Sequence, residues 1–345
     1  MKKNKSPARV FVYGGDAFGW SVDKDRSHLE TALGKLGFVT TRSIVFANLV
    51  YAVWWNQLLS RRFAILRLFN PWAKIICVIT NDITQAGDDL RRIIGKADLF
   101  VCANSSQRDV LLSKGVPTQK IKHDPYFVSP NEFYNLNCTR DELASELKID
   151  PSRLKGRILV GSFQRDSLNS DLSKPKWQKD PELLAQVMSR LPKDRFTLVL
   201  AGPRRHYLVS RCKELEIDYV FVGDASAHSG MTDDVNLNIL GHETINKLYN
   251  LVDIYLVSSK SEGGLKAIAE CGLTETPVVA TRVGLAPDVV CADCLFENAD
   301  EGSKILANID AMNPKKLKEF FDTTKGFYSE PARLKRLQGI MDAAK

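Results

Sequence analysis

The feature that most constrains the fold is a regular alternation of short apolar runs with segments of helical hydrophobic period. In the first half, strands are predicted at residues 9–13, 38–46, 74–80 and 98–103. Helical periods fill the gaps between them: one ends at Gly37, and another begins at Ser105 and ends before Gly115. This alternation is typical of a parallel sheet covered by helices, so an α/β fold is predicted.

The same pattern starts again after a polar connection, and 345 residues are enough for two domains. Further strands are predicted at residues 157–163, 196–201, 219–222, 253–258 and 277–281. We therefore assign residues 1–150 and 151–325 to two Rossmann-like domains, and residues 326–345 to a C-terminal helix that packs back on the first domain. Such domains bind ligands at the carboxyl ends of their strands, so the site is expected in a cleft between two such ends.

The connection between the first strand and the first helix of the second domain is long and polar. Residues 165–179 carry aspartates, serines and several lysines, a composition that predicts a mobile loop. The helix that follows has a clear start signal at residues 180–182, Asp-Pro-Glu. This triplet supplies an N-cap, a first-turn proline and an acid near the positive pole of the helix.

The formal net charge of +7 suits a cleft that holds phosphate, or attraction to a polyanion or membrane surface. The sequence has no long Lys/Arg block, so no nucleic-acid partner is predicted. Residues 49–72 combine three tryptophans with three arginines. They are interpreted as a packed core helix, and a peripheral contact with an anionic bilayer is the alternative.

Cysteine and histidine usage gives no indication of a metal site. Seven scattered cysteines are typical of reduced thiols in a cytosol, and the basic N-terminus precedes an apolar run too short for export. We expect a cytoplasmic protein, with contact at the inner membrane face left open. Cys291 and Cys294 have no second ligand pair, and the histidines at 28, 206, 228 and 242 are interpreted as cap, surface or helix residues.

The most informative segment is residues 258–284, which follows a predicted strand. Glu262 and Glu270 are separated by seven residues, with Gly263 and Gly264 directly after the first acid. If a helix begins near Gly264, its rise places the two carboxylates roughly 10 Å apart, comparable with the span from sugar to ribose in a nucleotide sugar. The glycines would let the amides of the helix N-terminus approach a diphosphate.

This segment resembles the E-x7-E signature of retaining group 1 glycosyltransferases, whose usual form runs like EGFGLPxxEAMACGTPVV. It reads EGGLKAIAECGLTETPVV, with Leu265, Lys266 and Ala267 in place of the usual Gly-Leu-Pro. The resemblance implies the GT-B fold, in which two Rossmann-like domains face across a cleft. It also implies transfer of a sugar, with retention, from a nucleoside-diphosphate donor to a hydroxyl of a glycan or lipid-linked acceptor.

The resemblance assigns a role to each matching residue. Glu262 would bind hydroxyls of the donor sugar, Glu270 the ribose, and Arg165 with Lys179 the diphosphate; Lys174 or Lys176 could replace Lys179. Further donor contacts are implied at Gly14, Gly15, Gly263, Gly264 and Leu265. No cofactor or metal is expected, because the nucleotide sugar is itself a substrate and cationic side chains can stabilise the leaving diphosphate.

Relatives bind acceptors at the loop after the first strand, which makes Asp16, Trp20, Asp23 and Arg26 acceptor candidates. Asn81-Asp82 stands where relatives often carry a histidine and an aspartate; since asparagine does not titrate, no general base is predicted there. Two alternatives stay open. One is a non-catalytic protein that binds a nucleotide sugar or polyanion, and the other is an NAD-dependent oxidoreductase, although GGDAFG lacks the G-x-G-x-x-G spacing.

Overall fold

The computed structural model describes residues 8–15, 21–84 and 86–344. The chain divides into two compact units. The first takes the chain up to Phe127 and from Phe327 onward, and the second runs from Val128 to Gly326. Residues 128–150, assigned from the sequence to the first domain, cluster with the second unit. There Arg140 Nη2 lies 2.6 Å from Asp253 Oδ1.

The first unit is built on a parallel six-stranded sheet with the order β2-β1-β3-β4-β5-β6. Its strands are β1 (Arg9–Tyr13), β2 (Val39–Thr41), β3 (Leu49–Ala52), β4 (Lys74–Val78), β5 (Leu99–Cys102) and β6 (Ile121–His123). The first helices are α1 (Ser21–Lys35), α2 (Arg61–Phe69), α3 (Gly87–Ile94) and α4 (Ser105–Ser113). Helices cover both faces of the sheet, which is why its central strands are apolar throughout.

Residues 49–72 are not the single core helix expected from their apolar content. They form β3, a short 3₁₀ helix (Trp55–Leu59) and then α2. All four residues of β3 are buried, and the strand pairs with β1 on one side and β4 on the other. The apolar run was therefore that of a central strand, which hydrophobicity alone does not distinguish from a buried helix.

The second unit has a parallel six-stranded sheet with the order β12-β11-β10-β7-β8-β9. Its strands are β7 (Ile158–Ser162), β8 (Phe196–Ala201), β9 (Tyr219–Val222), β10 (Ile254–Val257), β11 (Val278–Thr281) and β12 (Leu295–Phe296). This is the Rossmann order, in which the direction of winding reverses between β7 and β10. A crevice is expected at the carboxyl ends of these two strands.

The remaining helices cover the second sheet and complete the chain. They are α5 (Arg140–Glu146), α6 (Pro181–Ser189), α7 (His206–Glu214), α8 (Ser226–Ser229), α9 (His242–Leu251), α10 (Lys266–Thr274), α11 (Ala286–Val289), α12 (Ala299–Ala307), α13 (Pro314–Tyr328) and α14 (Glu330–Ala343). In the first unit, Leu337, Ile340 and Met341 of α14 are buried in the same core as α1. Among the helices that the structure describes, none is long and apolar enough to cross a membrane.

Candidate active site

A cluster of positive charges follows β7. Lys176 lies within electrostatic range of Arg165, Lys179 and Glu262. Burial lowers the pKa of Lys176, and repulsion from Arg165 and Lys179 lowers it further. Burial also lowers the pKa of Arg165, with Arg204 as the next cause. Cations gathered in this way repel one another, so the arrangement favours a ligand that carries several negative charges.

The segment that carries these cations, predicted from its polarity to be a mobile loop, folds back on itself. Ser167 and Pro175 form an antiparallel β-bridge, and Lys176 N donates to Asp166 O at 2.6 Å. A 3₁₀ turn (Trp177–Lys179) then leads directly into α6, whose N-cap is Asp180, as the sequence predicts. Of the alternative lysines, Lys176 joins the cluster, whereas Lys174 is exposed and pairs with Asp171.

A buried ion pair fixes the start of this segment. Arg205 Nε lies 3.0 Å from Asp166 Oδ2, and both side chains are almost completely buried. Arg205 Nη2 donates to Ser162 Oγ at the end of β7, and Ser167 Oγ donates to Asp166 Oδ1. Burial raises the pKa of Asp166 to about 6, against the opposing attraction of Arg205. The pair joins the end of β7 to the start of α7 and so positions the backbone next to Arg165.

Glu262 lies in the loop after β10, where it meets the cation cluster. Its Oε1 accepts from Lys179 Nζ and, at 2.7 Å, from Ser259 Oγ. The side chains of Lys179 and Glu262 are only 22% and 12% exposed. Lys260 Nζ also lies 2.9 Å from Asp180 Oδ2. The adjacency of β7 and β10 therefore brings together two residues that the sequence places 83 positions apart.

The glycine-rich loop before α10 is closely packed. Gly284 has a φ of +54°, and a Cβ there would lie 3.0 Å from Glu262 Cβ. The helix begins at Lys266, two residues later than predicted, and its N-cap Leu265 makes no side-chain capping bond. The Leu265 side chain is buried, so any ligand contact there is through the backbone. Gly263 and Gly264 stay in the loop, beside a helix N-terminus that favours an anion.

Glu270 lies in the second turn of α10, where Tyr249 Oη donates to its Oε2 at 2.7 Å. Burial raises the pKa of Glu270, while the hydrogen bond from Tyr249 and the charge of Lys266 lower it. His242 also lowers the pKa of Glu270, and its Nδ1 lies 2.8 Å from Glu132 Oε1. A carboxylate held in this way can accept a hydrogen bond from a ligand hydroxyl.

Three residues of this site were not identified from the sequence: Tyr249, Ser259 and Arg204. Tyr249 donates a hydrogen bond to Glu270, and Ser259 donates one to Glu262. Arg204 forms a bidentate ion pair with Asp233. Its Nε lies 2.9 Å from Asp233 Oδ1, and its Nη2 lies 2.8 Å from Asp233 Oδ2. The arginine pair three residues after the end of β8 was the available signal for Arg204. The contacts of Tyr249 and Ser259 depend on which helix and loop lie side by side.

Gly14 and Gly15 follow β1 in the first unit, and their expected role at a donor stays a prediction. Gly14 has a φ of +108°, and a Cβ there would lie 3.0 Å from Gln57 Oε1. Gln57 Nε2 donates to Gly15 O at 2.7 Å, which also gives these glycines a local role in the turn. Among the acceptor candidates, Arg26 forms an ion pair with Glu30, whereas Asp16 and Trp20 lie outside the described residues.

Comparisons with known proteins identify the class to which the fold corresponds. Residues 170–312, all within the second unit, match the model of the family described as glycosyl transferases group 1. No curated protein sequence matches the chain. The two parallel six-stranded sheets and their helices have the architecture of GT-B glycosyltransferases, which confirms the predicted α/β fold class.

Three solved structures illustrate the similarity. Anabaena Alr3699/HepE, in complex with UDP and glucose, has a TM-score of 0.73 and 13% identity, over 97% of this chain and 100% of that one. Sucrose-phosphate synthase from Thermosynechococcus elongatus has a TM-score of 0.64 and 15% identity, over 96% and 80%. A glycosyltransferase from Rickettsia africae ESF-5 has a TM-score of 0.64 and 14% identity, over 99% of each chain. At such low identity these similarities establish the fold alone.

Proposed function

We propose that this chain is a retaining glycosyltransferase that moves a sugar from a nucleoside-diphosphate donor to a hydroxyl of a glycan or lipid-linked acceptor. The observation that carries the proposal is the cluster of Arg165, Lys176 and Lys179 against Glu262, at the point where the winding of the second sheet reverses. It is supported by the family match of the same unit and by the UDP and glucose bound to the similar Anabaena protein.

In this proposal the cations act on the leaving group. The bond between the anomeric carbon and the phosphate oxygen breaks, and a bond to the acceptor oxygen forms on the same face of the sugar. The proton of the acceptor hydroxyl passes to the departing phosphate oxygen, so no side chain is needed as a base. Arg165 and Lys179 stabilise the charge that develops on the diphosphate, and we propose that transfer needs no metal ion.

The carboxylates hold the two ends of the donor. Glu262 accepts from sugar hydroxyls, while its contact with Lys179 links sugar binding to phosphate binding. Glu270, supported by Tyr249, accepts from the ribose. The backbone of residues 263–265 and the N-terminus of α10 lie between these acids and are proposed to contact the diphosphate. Gly14 and Gly15 are proposed as a further donor contact from the first unit.

A panel of UDP-, GDP- and TDP-sugars tests the proposed function. The true donor should raise the melting temperature by mass action and should release nucleoside diphosphate when an acceptor or water is supplied. NMR of the product should then show the anomeric configuration of the donor. A donor that stabilises the protein but never turns over would favour the non-catalytic binding protein. Stabilisation by NAD alone would favour the oxidoreductase.

We propose in addition that the first unit contacts an anionic membrane surface from the cytoplasmic side. On α2, Ile65, Leu68 and Phe69 are exposed at positions i, i+3 and i+4, which share one face of a helix. Trp72 follows at 85% exposure. Arg61 and Arg62 are exposed on the first turn of the same helix. Exposed apolar side chains beside arginines are typical of surfaces that bind anionic lipid.

A further inference from the structure

We propose that His206, His228 and Asp234 form a binding site for a divalent transition metal of the zinc class. His206 is the first residue of α7, His228 lies in α8, and Asp234 lies in the loop that leads to α9. One potential ligand atom from each lies within 4.8 Å of the other two, and all three side chains are almost completely buried. Buried charges and imidazoles of this kind need partners, and a metal ion is one solution.

The hydrogen bonding of His206 determines which of its nitrogens is free to bind a cation. Its Nε2 lies 2.9 Å from the carbonyl oxygen of Thr232, so Nε2 carries the hydrogen. In the neutral ring Nδ1 then presents a lone pair, and it lies 4.0 Å from Asp234 Oδ1. Within the described part of the chain, this buried nitrogen has no hydrogen-bond partner. A lone pair that faces a carboxylate is stabilised by a cation between them.

His228 repeats this arrangement from the other side. Its Nε2 lies 3.6 Å from Asp234 Oδ2, too far for a hydrogen bond, and it is also buried without a partner among the residues described. The two imidazole rings are T-shaped to each other, with centroids 4.7 Å apart. Unpartnered nitrogens of both rings therefore approach a single carboxylate.

The groups around the three residues resemble the outer shell of a metal site. His206 donates its other ring nitrogen to a backbone carbonyl, which is the usual support of a metal-binding histidine. Asp234 Oδ1 accepts from Arg204 N, and its Oδ2 accepts from Asn238 Nδ2, both at 2.7 Å. Asn238 is held in turn by the backbone N–H and carbonyl of Asp224. The carboxylate is thus oriented, and each oxygen retains a lone pair for a metal.

The donor set identifies the class of ion. Two imidazole nitrogens and one carboxylate suit zinc and similar metals, whereas magnesium and calcium prefer oxygen ligands throughout. Bonds of about 2.1 Å in a tetrahedron place ligand atoms roughly 3.4 Å apart. The His228 and His206 nitrogens lie 3.6 and 4.0 Å from different oxygens of Asp234, and one ligand atom from each residue lies within 4.8 Å of the other two, so the three side chains must move closer together on binding. The fourth position is left for water.

A metal bound here would connect three segments of the second unit. It would fasten the connection between β9 and α9 to the start of α7, next to Arg204 and the buried Arg205. The ligand set that defines the proposed metal site does not depend on the proposed transfer reaction. The sequence did not reveal the site, because separations of 22 and 6 residues between successive ligands fit no common motif.

Zinc binding by the full-length chain tests the proposal. The protein is stripped with a chelator, titrated with Zn²⁺ and passed through a desalting column, and the retained metal is measured by mass spectrometry. About one zinc per chain is expected, with a higher melting temperature. His228→Gln should weaken binding about 100-fold or more. The control is His123→Gln, which alters a histidine of the first unit that contacts the Ala103 carbonyl. This variant should bind zinc as the wild type does.

If His228→Gln does not fold, the wild-type protein loaded with Co²⁺ in place of Zn²⁺ provides a second test of the proposed site. The wild-type protein should then show the absorption of a tetrahedral cobalt centre with nitrogen and oxygen ligands. The proposal is overturned if the wild-type chain retains no zinc, or retains as much as His228→Gln does. It is also overturned if NMR shows a protonated imidazole paired with Asp234 while zinc is in excess.

Discussion

Glu262 and Glu270 are similar residues that the structure places in different surroundings. Glu262 is held by the cation of Lys179 and the hydroxyl of Ser259. Glu270 meets the neutral phenol of Tyr249, and burial raises its pKa. Because an ionised carboxylate is the stronger acceptor and burial raises the pKa of Glu270, we expect protonation of Glu270 to weaken donor binding at low pH.

The first prediction concerns Tyr249→Phe. The hydrogen bond from Tyr249 lowers the pKa of Glu270, so its loss should raise that pKa further above the ordinary value. Donor affinity should be lost as pH falls through the pKa of Glu270, and the variant should lose it at a higher pH than the wild type. Calorimetric titration with the best nucleoside diphosphate across acidic pH measures this shift.

Tyr207→Phe is the matched control, since it removes a tyrosine hydrogen bond to another carboxylate, Glu182. Its pH profile should coincide with that of the wild type. Coincident profiles for wild type and Tyr249→Phe would show that the Tyr249 contact does not act on Glu270 as described.

At the scale of elements, the candidate site depends on how firmly β7 is joined to α7. The pair formed by Asp166 and Arg205 makes this connection in a completely buried position. Breaking a buried pair leaves an uncompensated charge, whereas breaking an exposed pair costs little. The two kinds of pair can be compared within this unit.

The second prediction is that Asp166→Asn lowers the free energy of unfolding by about 3–5 kcal/mol, because Arg205 is left charged and buried. Asp300→Asn, which breaks the exposed pair with Arg190, should change it by less than about 1 kcal/mol. Chemical denaturation followed by circular dichroism measures both. Equal effects would indicate that Asp166 is protonated in the folded protein and contributes no charge.

The strands and helix starts were predicted best where the local signal is strong. β1, β8 and β9 have the predicted bounds, and the N-cap at Asp180 is confirmed. Short strands such as β12 were missed, because two or three residues carry no period. The segment after β7 was predicted from its polarity to be a mobile loop, and the sequence did not indicate backbone bonds within it such as Lys176 N to Asp166 O. Such bonds leave no pattern in composition.

At the scale of the whole molecule, the two sheets were predictable but their strand orders were not. The spacing of Glu262 and Glu270 and the resemblance predicted these two acids as site residues, and the resemblance also predicted Arg165 and Lys179. That Lys179 contacts Glu262 follows from the pairing of β7 with β10, which a single sequence does not reveal. The same holds for the buried group around Asp234, whose members come from three separate segments.

The third prediction concerns the proposed membrane contact of the first unit. Ile65→Glu should weaken binding to vesicles rich in anionic lipid several-fold, because it places a charge on the apolar face of α2. Ile239→Glu is a matched control in the second unit, since the two isoleucines are 57% and 58% exposed. Cosedimentation with anionic and neutral vesicles measures binding. Failure of the wild-type protein to bind, or equal loss in both variants, would contradict the contact.

The most direct test of the proposed donor site is the kcat/KM for donor turnover in Arg165→Ala and Glu262→Ala. Arg190→Ala, which removes an exposed arginine of the same unit, is the control. Both site variants should lose at least about 100-fold, on the scale of one preorganised charge contact, while the control keeps wild-type activity. Wild-type turnover in both site variants would contradict the account.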